Sequence, residues 1–435
     1  MAGRNNSSTA VSAADKRLDA ARALLEEVHS ALDIRFGFRL WDGSVVRGED
    51  APFLMVFNDP GVFGALARRP RLQTLVELWC ARRIDLEGGT LFEFNEYRPS
   101  GKIFRRLKKG RLARLIWPFL LKGDDHRVAA SGLADAEGEA SGSSAEAIRH
   151  HYDVSNDFYR LFLDSRMVYS CGYFTDWAND VEQAQIDKLE MICRKLRLEP
   201  GDRFLDIGCG WGALVIHAVE NYGVTAHGVT LSQAQYDLAR ERIAAKGLDD
   251  RITIELKPFQ DLTGTFDKIA SIGMYEHVGF DHHDEYFGAV RRLLRPRGLY
   301  LHHAITRRGR RSERAFRRRG SEYKAMVHYI FPGGEVDHIG WSSKMLETYG
   351  LEVYDVENWR EHYERTTALW AERLEARKDE AIAMVGEPRY RLWMLYLTGV
   401  SLAFRRGSLL IYQTLSSRRD NGPSGLPPTR ADLYR

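Results

Sequence analysis

Residues 203–218 read RFLDIGCGWGALVIHA. An apolar run closes on Asp206, the glycine-rich Gly208-Cys209-Gly210-Trp211-Gly212 follows, and the spacing then turns helical. That order predicts a strand, a tight turn and a helix. A strand that feeds a helix through so short a turn returns as a parallel crossover, so the chain is committed to an α/β sheet. Glycines also remove the Cβ, which lets a ligand approach bare backbone.

The pattern repeats between Arg203 and His303. FLDIG, TAHGVT, ITIEL, FDKIASIG and GLYLHHAI read as strands. LSQAQYDLARERIAAKG and HDEYFGAVRRLLR read as helices between them. The expected fold is α/β, a doubly wound and mostly parallel sheet, with its ligand outside the carboxyl ends of the strands. A dinucleotide needs Gly-x-Gly-x-x-Gly and an acidic residue about 20 positions on. Here the spacing is Gly208-x-Gly210-x-Gly212, and the next strand ends His227-Gly228-Val229-Thr230 without a carboxylate. Asp206 followed by Gly-x-Gly-x-Gly is instead the pattern of Rossmann-like class I S-adenosylmethionine (SAM) methyltransferases. Their glycines let the methionine part lie against main chain, and a strand-end carboxylate offsets positive charge. Glycines that serve only the turn are the alternative.

The 435 residues suffice for two or three domains. With 63 basic and 60 acidic side chains the net charge is +3, so nucleic acid is not implied globally. Cys80, Cys171, Cys193 and Cys209 show neither disulfide nor zinc spacing. The first residues lack the apolar core of a signal peptide, and a reducing cytoplasm is the expected compartment. The apolar stretch from Leu392 to Phe404 is shorter than the roughly 18 to 20 residues a bilayer requires and reads as a docked helix. Residues 1–12 are expected to be disordered. Residues 13–121 form a small N-terminal α/β domain, with a hairpin around Asp42-Gly43 and a basic amphipathic end at 103–122. Residues 122–147 read as a flexible linker, 148–416 as the catalytic domain and 417–435 as a disordered tail.

Further stretches are more specific than the glycine turn: HYDVSNDFYRLFLD with MVYSCGYF, then GVTLSQAQ, GMYEHVG and ENWREHYERTTALW. Together with LDIGCGWG they resemble the cyclopropane-fatty-acyl-phospholipid synthase family, which includes the mycolic acid cyclopropane synthases. The resemblance covers roughly residues 148 to 416. It implies that Tyr169 and Ser170 meet SAM, with Asp206, Gly208 and Gly210 around the methionine part. Thr230, Leu231 and Gln235 take the ribose region, and Phe259 and Gln260 border the adenine. Lys257-Pro258 departs from the Gln-Asp of many members, and proline offers no backbone N–H. Ser155 stands where glycine is usual, and Tyr354 sits near a position often acidic; both are candidates for altering acyl-chain fit.

The chemistry implied is attack by an acyl-chain double bond on the sulfonium methyl. The resulting carbocation must be kept dry and lose a proton. In the family a bound bicarbonate is the base, and its cradle carries over to Cys171, Glu276, His303, Ile305 and Tyr363. Cys171 and Ile305 would offer backbone contacts and the others side chains. His302 and His303 are adjacent on a strand, so only one faces the site. Phe174 and Tyr275 are candidates for cation–π stabilisation. Some relatives have cysteine where this chain has Val400, so a thiol nucleophile is excluded there. The resemblance further implies a phospholipid with an unsaturated acyl chain as partner, peripheral contact with the inner membrane face, and a homodimer; the charge balance and the cysteine spacing lead us to expect no nucleic acid and no metal. TRRGRRSERAFRRRG, residues 306–320, and residues 103–122 are the basic segments that would meet anionic headgroups. Alternatives are a methylene- or methyl-branched product, methylation of a small molecule, or a lipid carrier without activity.

Overall fold

The computed structural model describes residues 13–97, 109–120, 155–318, 320, 323, 329 and 334–434. The chain separates into two units, residues 1–135 with 386–395 and residues 136–385 with 396–435. The expected disorder at 1–12 and the linker at 122–147 lie outside the described residues. The expected catalytic span of 148–416 is interrupted, because 386–395 belongs with the smaller unit.

In the smaller unit, β1 (Gly37–Arg39), β2 (Val45–Val46), β3 (Leu54–Phe57) and β4 (Ile84–Glu87) form a sheet in the order β2-β1-β3-β4. β1 and β2 are antiparallel around the Asp42-Gly43 turn, where Gly43 has φ +83°. The helices Ala13–Leu32, Gly61–Arg68, Leu72–Cys80 and Lys109–Leu120 accompany it. Phe36, Phe38, Phe57 and Phe63 centre its core. Arg391 lies 4.0 Å above the Trp79 ring and donates to the Trp79 carbonyl at 2.7 Å.

The larger unit holds seven strands, β5 (Arg203–Ile207), β6 (Thr225–Thr230), β7 (Ile252–Leu256), β8 (Phe266–Ile272), β9 (Leu294–Arg307), β10 (Leu351–Asn358) and β11 (Leu409–Arg418). Their order is β10-β11-β9-β8-β5-β6-β7. β5 to β9 are parallel neighbours, and β11 is antiparallel to both β9 and β10. The chain order reverses at β5, which has β6 on one side and β8 on the other, so a crevice opens at its carboxyl end. Alternation along β5 buries Phe204 in one core and Leu205 and Ile207 in the other. Both faces are covered, which explains the near-continuous apolar text. Burying such side chains contributes about 1.5 to 3 kcal/mol each.

The expected disordered tail is corrected by the structure. β11 runs to Arg418, Ala431–Tyr434 forms a 3-10 turn, Leu433 is buried, and Asp432 pairs with Arg197 at 2.9 Å. The polar composition hides this docking because one apolar anchor and a few ion pairs suffice.

Candidate active site

The glycine turn leaves β5 with Gly208, Gly210 and Gly212 all at positive φ, +82°, +54° and +82°. A Cβ on Gly208 would stand 2.9 Å from the Met274 Cβ, whereas one on Gly210 meets nothing within 4 Å. Gly210 therefore faces open space. That space is a cavity of about 520 Å³. Its wall includes Tyr169, Ser170, Asp206, Gly208, Gly210, Thr230, Leu231, Gln235, Phe259 and Gln260, so the structure gathers every residue expected around the cofactor. Lys257 and Pro258 also line it. Glu255 holds Lys257 at 2.9 Å, and Pro258 introduces the 3-10 turn Phe259–Asp261.

Asp206 is 3% exposed, and burial, opposed by Lys188, pushes its carboxyl up to about 7. Its Oδ1 has no hydrogen-bond partner among the described residues. An unpartnered buried acceptor beside a large cavity fits a cationic ligand. Thr230 donates to Gln235 Oε1 at 2.7 Å, which leaves the amide nitrogen of Gln235 for the cavity. The residues present thus fit SAM.

A second, smaller cavity of about 70 Å³ adjoins the first and shares Tyr169, Ser170, Gly273 and His277 with it. It is lined by Cys171, Glu276, His303, Ile305 and Tyr363, the five residues expected to act together. Glu276 lies in the 3-10 turn Tyr275–His277 after β8 and accepts the Ile305 N–H through Oε1 at 2.6 Å. That amide is therefore already engaged within the protein. Burial pushes the Glu276 carboxyl up to about 7, and its Oε2 lacks a partner among the described residues. His303 is fully buried; burial, then Lys188 and Lys195, pull its pKa well below the ordinary histidine value. Its Nε2 is also unpartnered among the described residues. The Cys171 thiol donates to the Gly172 carbonyl at 3.2 Å, and burial raises its pKa. It is a neutral wall, not a nucleophile. The volume is several times what one water requires, and an acid, a neutral imidazole and a tyrosine around it fit a small, partly protonated anion.

Alternation along β9 resolves the histidine pair. His303 faces the small cavity, while His302 packs against Tyr275 at 4.7 Å on the opposite face. Other expectations are corrected. Tyr275 lines neither cavity; its hydroxyl donates to Asp337 at 3.1 Å. Phe174 stacks on Trp177 at 5.9 Å, also away from both cavities. The rings at the small cavity are Tyr169, Tyr323, Tyr363 and Tyr396. Tyr354 is exposed on edge strand β10, and Ser155 caps the helix Asn156–Arg160, so neither touches either cavity. Val400 does line the small cavity.

Sequence reasoning missed Lys188. This lysine is 2% exposed, lines the large cavity and donates to Ser170 Oγ at 3.1 Å. Burial lowers its pKa to about 8, against the pull of Asp164, Cys171 and Asp206. A signal existed: in Val181–Leu196, Lys188 and Lys195 are seven apart and fall on the apolar stripe with Ala184 and Met191. A lysine at such a position is buried against a partner. Arg292 was missed too; it donates to the carbonyls of Gln260 at 2.7 Å and Leu262 at 2.6 Å and holds the loop that edges the large cavity.

A doubly wound sheet with this turn and acidic strand end defines a SAM-dependent methyltransferase. Residues 140–414 match the mycolic acid cyclopropane synthetase family, and the chain belongs to it. It is 36% identical over 417 residues to a probable fatty acid methyltransferase of Pseudomonas putida, covering 95% of this chain and all of that one. It is 38% identical over 271 residues to the cyclopropane-fatty-acyl-phospholipid synthase of Escherichia coli, covering 62% and 67% of the two chains. A mycolic acid cyclopropane synthase complexed with SAH and CTAB superposes with TM-score 0.59 at 35% identity, covering 64% of this chain and 99% of that one.

Proposed function

We propose that the protein methylates the cis double bond of an unsaturated acyl chain in a phospholipid and closes a cyclopropane ring. What carries this reading is the pair of adjoining cavities, the larger lined by the cofactor residues and the smaller holding Glu276 Oε2 and His303 Nε2 without partners among the described residues. SAM, when bound, supplies an electrophilic methyl. Tyr169, Ser170, Asp206, Gly208 and Gly210 hold its methionine part, Thr230, Leu231 and Gln235 its ribose, and Phe259 and Gln260 its adenine. Cys171, Glu276, His303 and Tyr363 hold a bicarbonate that would serve as base, while Ile305, its amide bound to Glu276, orients that carboxylate and lines the site. Apart from Ser170 and His277, the remaining side chains of the small cavity, including Tyr396, Val400, Leu409 and Ile411, are apolar or aromatic and keep water from a carbocation. The tyrosine faces stabilise positive charge there.

The lipid is reached from the membrane surface. Arg308, Arg310, Arg311, Arg314 and Arg318 are exposed and available to anionic headgroups. Arg307 is not, because it lies 4.3 Å from the Phe316 ring and 4.7 Å from that of Tyr323. Arg319 lies outside the described residues. Among the described residues no helix is long and apolar enough to cross a membrane. The contact proposed is peripheral, at the cytoplasmic face of the membrane. Co-sedimentation with vesicles that ignores both salt and anionic lipid content would sink this part.

A second reading has a specific observation behind it. The Pseudomonas putida relative, matched along its whole length, is named a fatty acid methyltransferase rather than a cyclopropane synthase. A hydride shift before proton loss would give a methylene-branched chain. The test is methyl-labelled SAM with vesicles of cis-monounsaturated phospholipid, followed by proton NMR of the released acyl chains. Upfield cyclopropyl protons support ring closure and vinylidene protons the second reading. Unlabelled lipid with SAM still bound rejects both.

A further inference from the structure

His303 on β9 and Gln413 on β11 are paired residues of neighbouring antiparallel strands, so their side chains leave the sheet on the same face. Gln413 Nε2 lies 2.9 Å from His303 Nδ1, and Gln413 Oε1 lies 2.8 Å from Lys195 Nζ. Lys195 is 1% exposed, paired with Glu357 and set 5.1 Å over the Trp359 ring. Trp359 in turn meets the His303 ring edge-on at 5.4 Å. Four buried side chains thus run from the helix Val181–Leu196 across the sheet to the small cavity.

The donor inventory leaves one arrangement. An ammonium only donates, so the amide oxygen of Gln413 must face Lys195 and the amide nitrogen must face His303. That nitrogen also only donates, so His303 Nδ1 must accept. A neutral imidazole carries one proton, which then sits on Nε2, the unpartnered atom of the residue that lines the small cavity. We propose that Lys195 and Gln413 are positioning residues that hold His303 as the Nε2–H tautomer, making it a donor into the small cavity and never the base. A ring nitrogen without a lone pair toward the cavity cannot take the proton that the reaction releases. Its role is to hold an acceptor there, as an oxyanion-hole donor does. The tautomer is independent of the reaction proposed above; only its effect on turnover rests on that reading.

The test uses full-length protein labelled with 15N at histidine and long-range proton–nitrogen NMR, with and without S-adenosylhomocysteine. The His303 signals are those lost in His303→Gln. Wild type is expected to show a protonated Nε2 and a bare Nδ1. In Gln413→Glu a carboxylate faces Nδ1, the proton moves there, and turnover falls on the order of 100-fold while the KM for SAM holds within about threefold. Lys195→Met frees the Gln413 amide to turn over and gives a mixture of tautomers. A bare Nε2 in wild type overturns the proposal. So does a Gln413→Glu protein that keeps the wild-type tautomer, or one in which the proton moves and turnover does not. Should Gln413→Glu not fold, wild type and Lys195→Met decide. The expected tautomers in a protein that labels no lipid would reject the proposed function and leave this inference standing.

Discussion

Glu276 spends one carboxylate oxygen on the Ile305 amide, at 2.6 Å, and keeps the other buried and unpartnered among the described residues. The first bond ties the turn after β8 to the end of β9. The second oxygen is what the small cavity can use. Glu276→Gln preserves the first and replaces the second by a donor. Turnover is expected to fall on the order of 100-fold, with SAM affinity by calorimetry within about threefold of wild type. Glu276→Ala also strands the Ile305 N–H and should cost about 1 to 3 kcal/mol of stability in urea unfolding. Equal stability of the two variants would contradict this division of labour.

Asp206 gives a pH signature. Burial raises its carboxyl from the ordinary value to about 7 in the ligand-free fold. Between about pH 4 and 7 the folded protein therefore holds a proton that the unfolded chain has released, and this group loses stability as pH rises. Removing it in Asp206→Asn should shift the difference in unfolding free energy toward the variant across that window and leave it flat on either side. A cationic ligand reverses the burial penalty, so SAM binding near pH 7 should release a proton in wild type and none in the variant. Calorimetry in buffers of different ionisation heat reads this directly, and proton uptake would refute it.

Gly208 and Gly210 of the turn should fail differently. Gly208→Ala combines φ +82° with a 2.9 Å approach to Met274. Strain of about 1 to 2 kcal/mol adds to overpacking of about 1 to 3 kcal/mol. Gly210→Ala has only the backbone cost, because its Cβ meets nothing. That Cβ would stand in the large cavity. Gly208→Ala is expected to lose more stability, and Gly210→Ala to lose more SAM affinity relative to its stability loss. Denaturation and binding measured on both variants check the order.

Arg391 anchors the smaller unit, with bonds to the carbonyls of Trp79 and Ile84 and to Asp85 Oδ1 at 2.7, 3.1 and 3.1 Å. Arg391→Ala leaves three acceptors and a tryptophan face behind and should cost about 3 kcal/mol. Arg391→Lys keeps the charge but not the fork, and should recover only part of that loss in the same unfolding assay.

Much was legible in the text because it rests on short-range rules. The five parallel strands follow from apolar runs between turn signals, the glycine turn from residues that tolerate positive φ, and the cofactor from Asp206 with its Gly-x-Gly-x-Gly spacing. The resemblance then named residues as far apart as Tyr169 and Tyr363, and the fold gathers them around two cavities. What the text could not convey depends on which groups meet after folding. Tyr275 is as aromatic in sequence as Tyr396, yet only Tyr396 reaches the small cavity. The polar tail reads as disordered until Leu433 finds a buried seat. Periodicity puts Lys188 and Lys195 on the apolar stripe of their helix, but neither they nor Gln413 show in the text which groups they will meet. Periodicity assigns a side chain to a face, and that is local. A protonation state or a hydrogen-bond direction is set by partners more than a hundred residues away, as Gln413 is for His303, and only the packed sheet brings them within 3 Å.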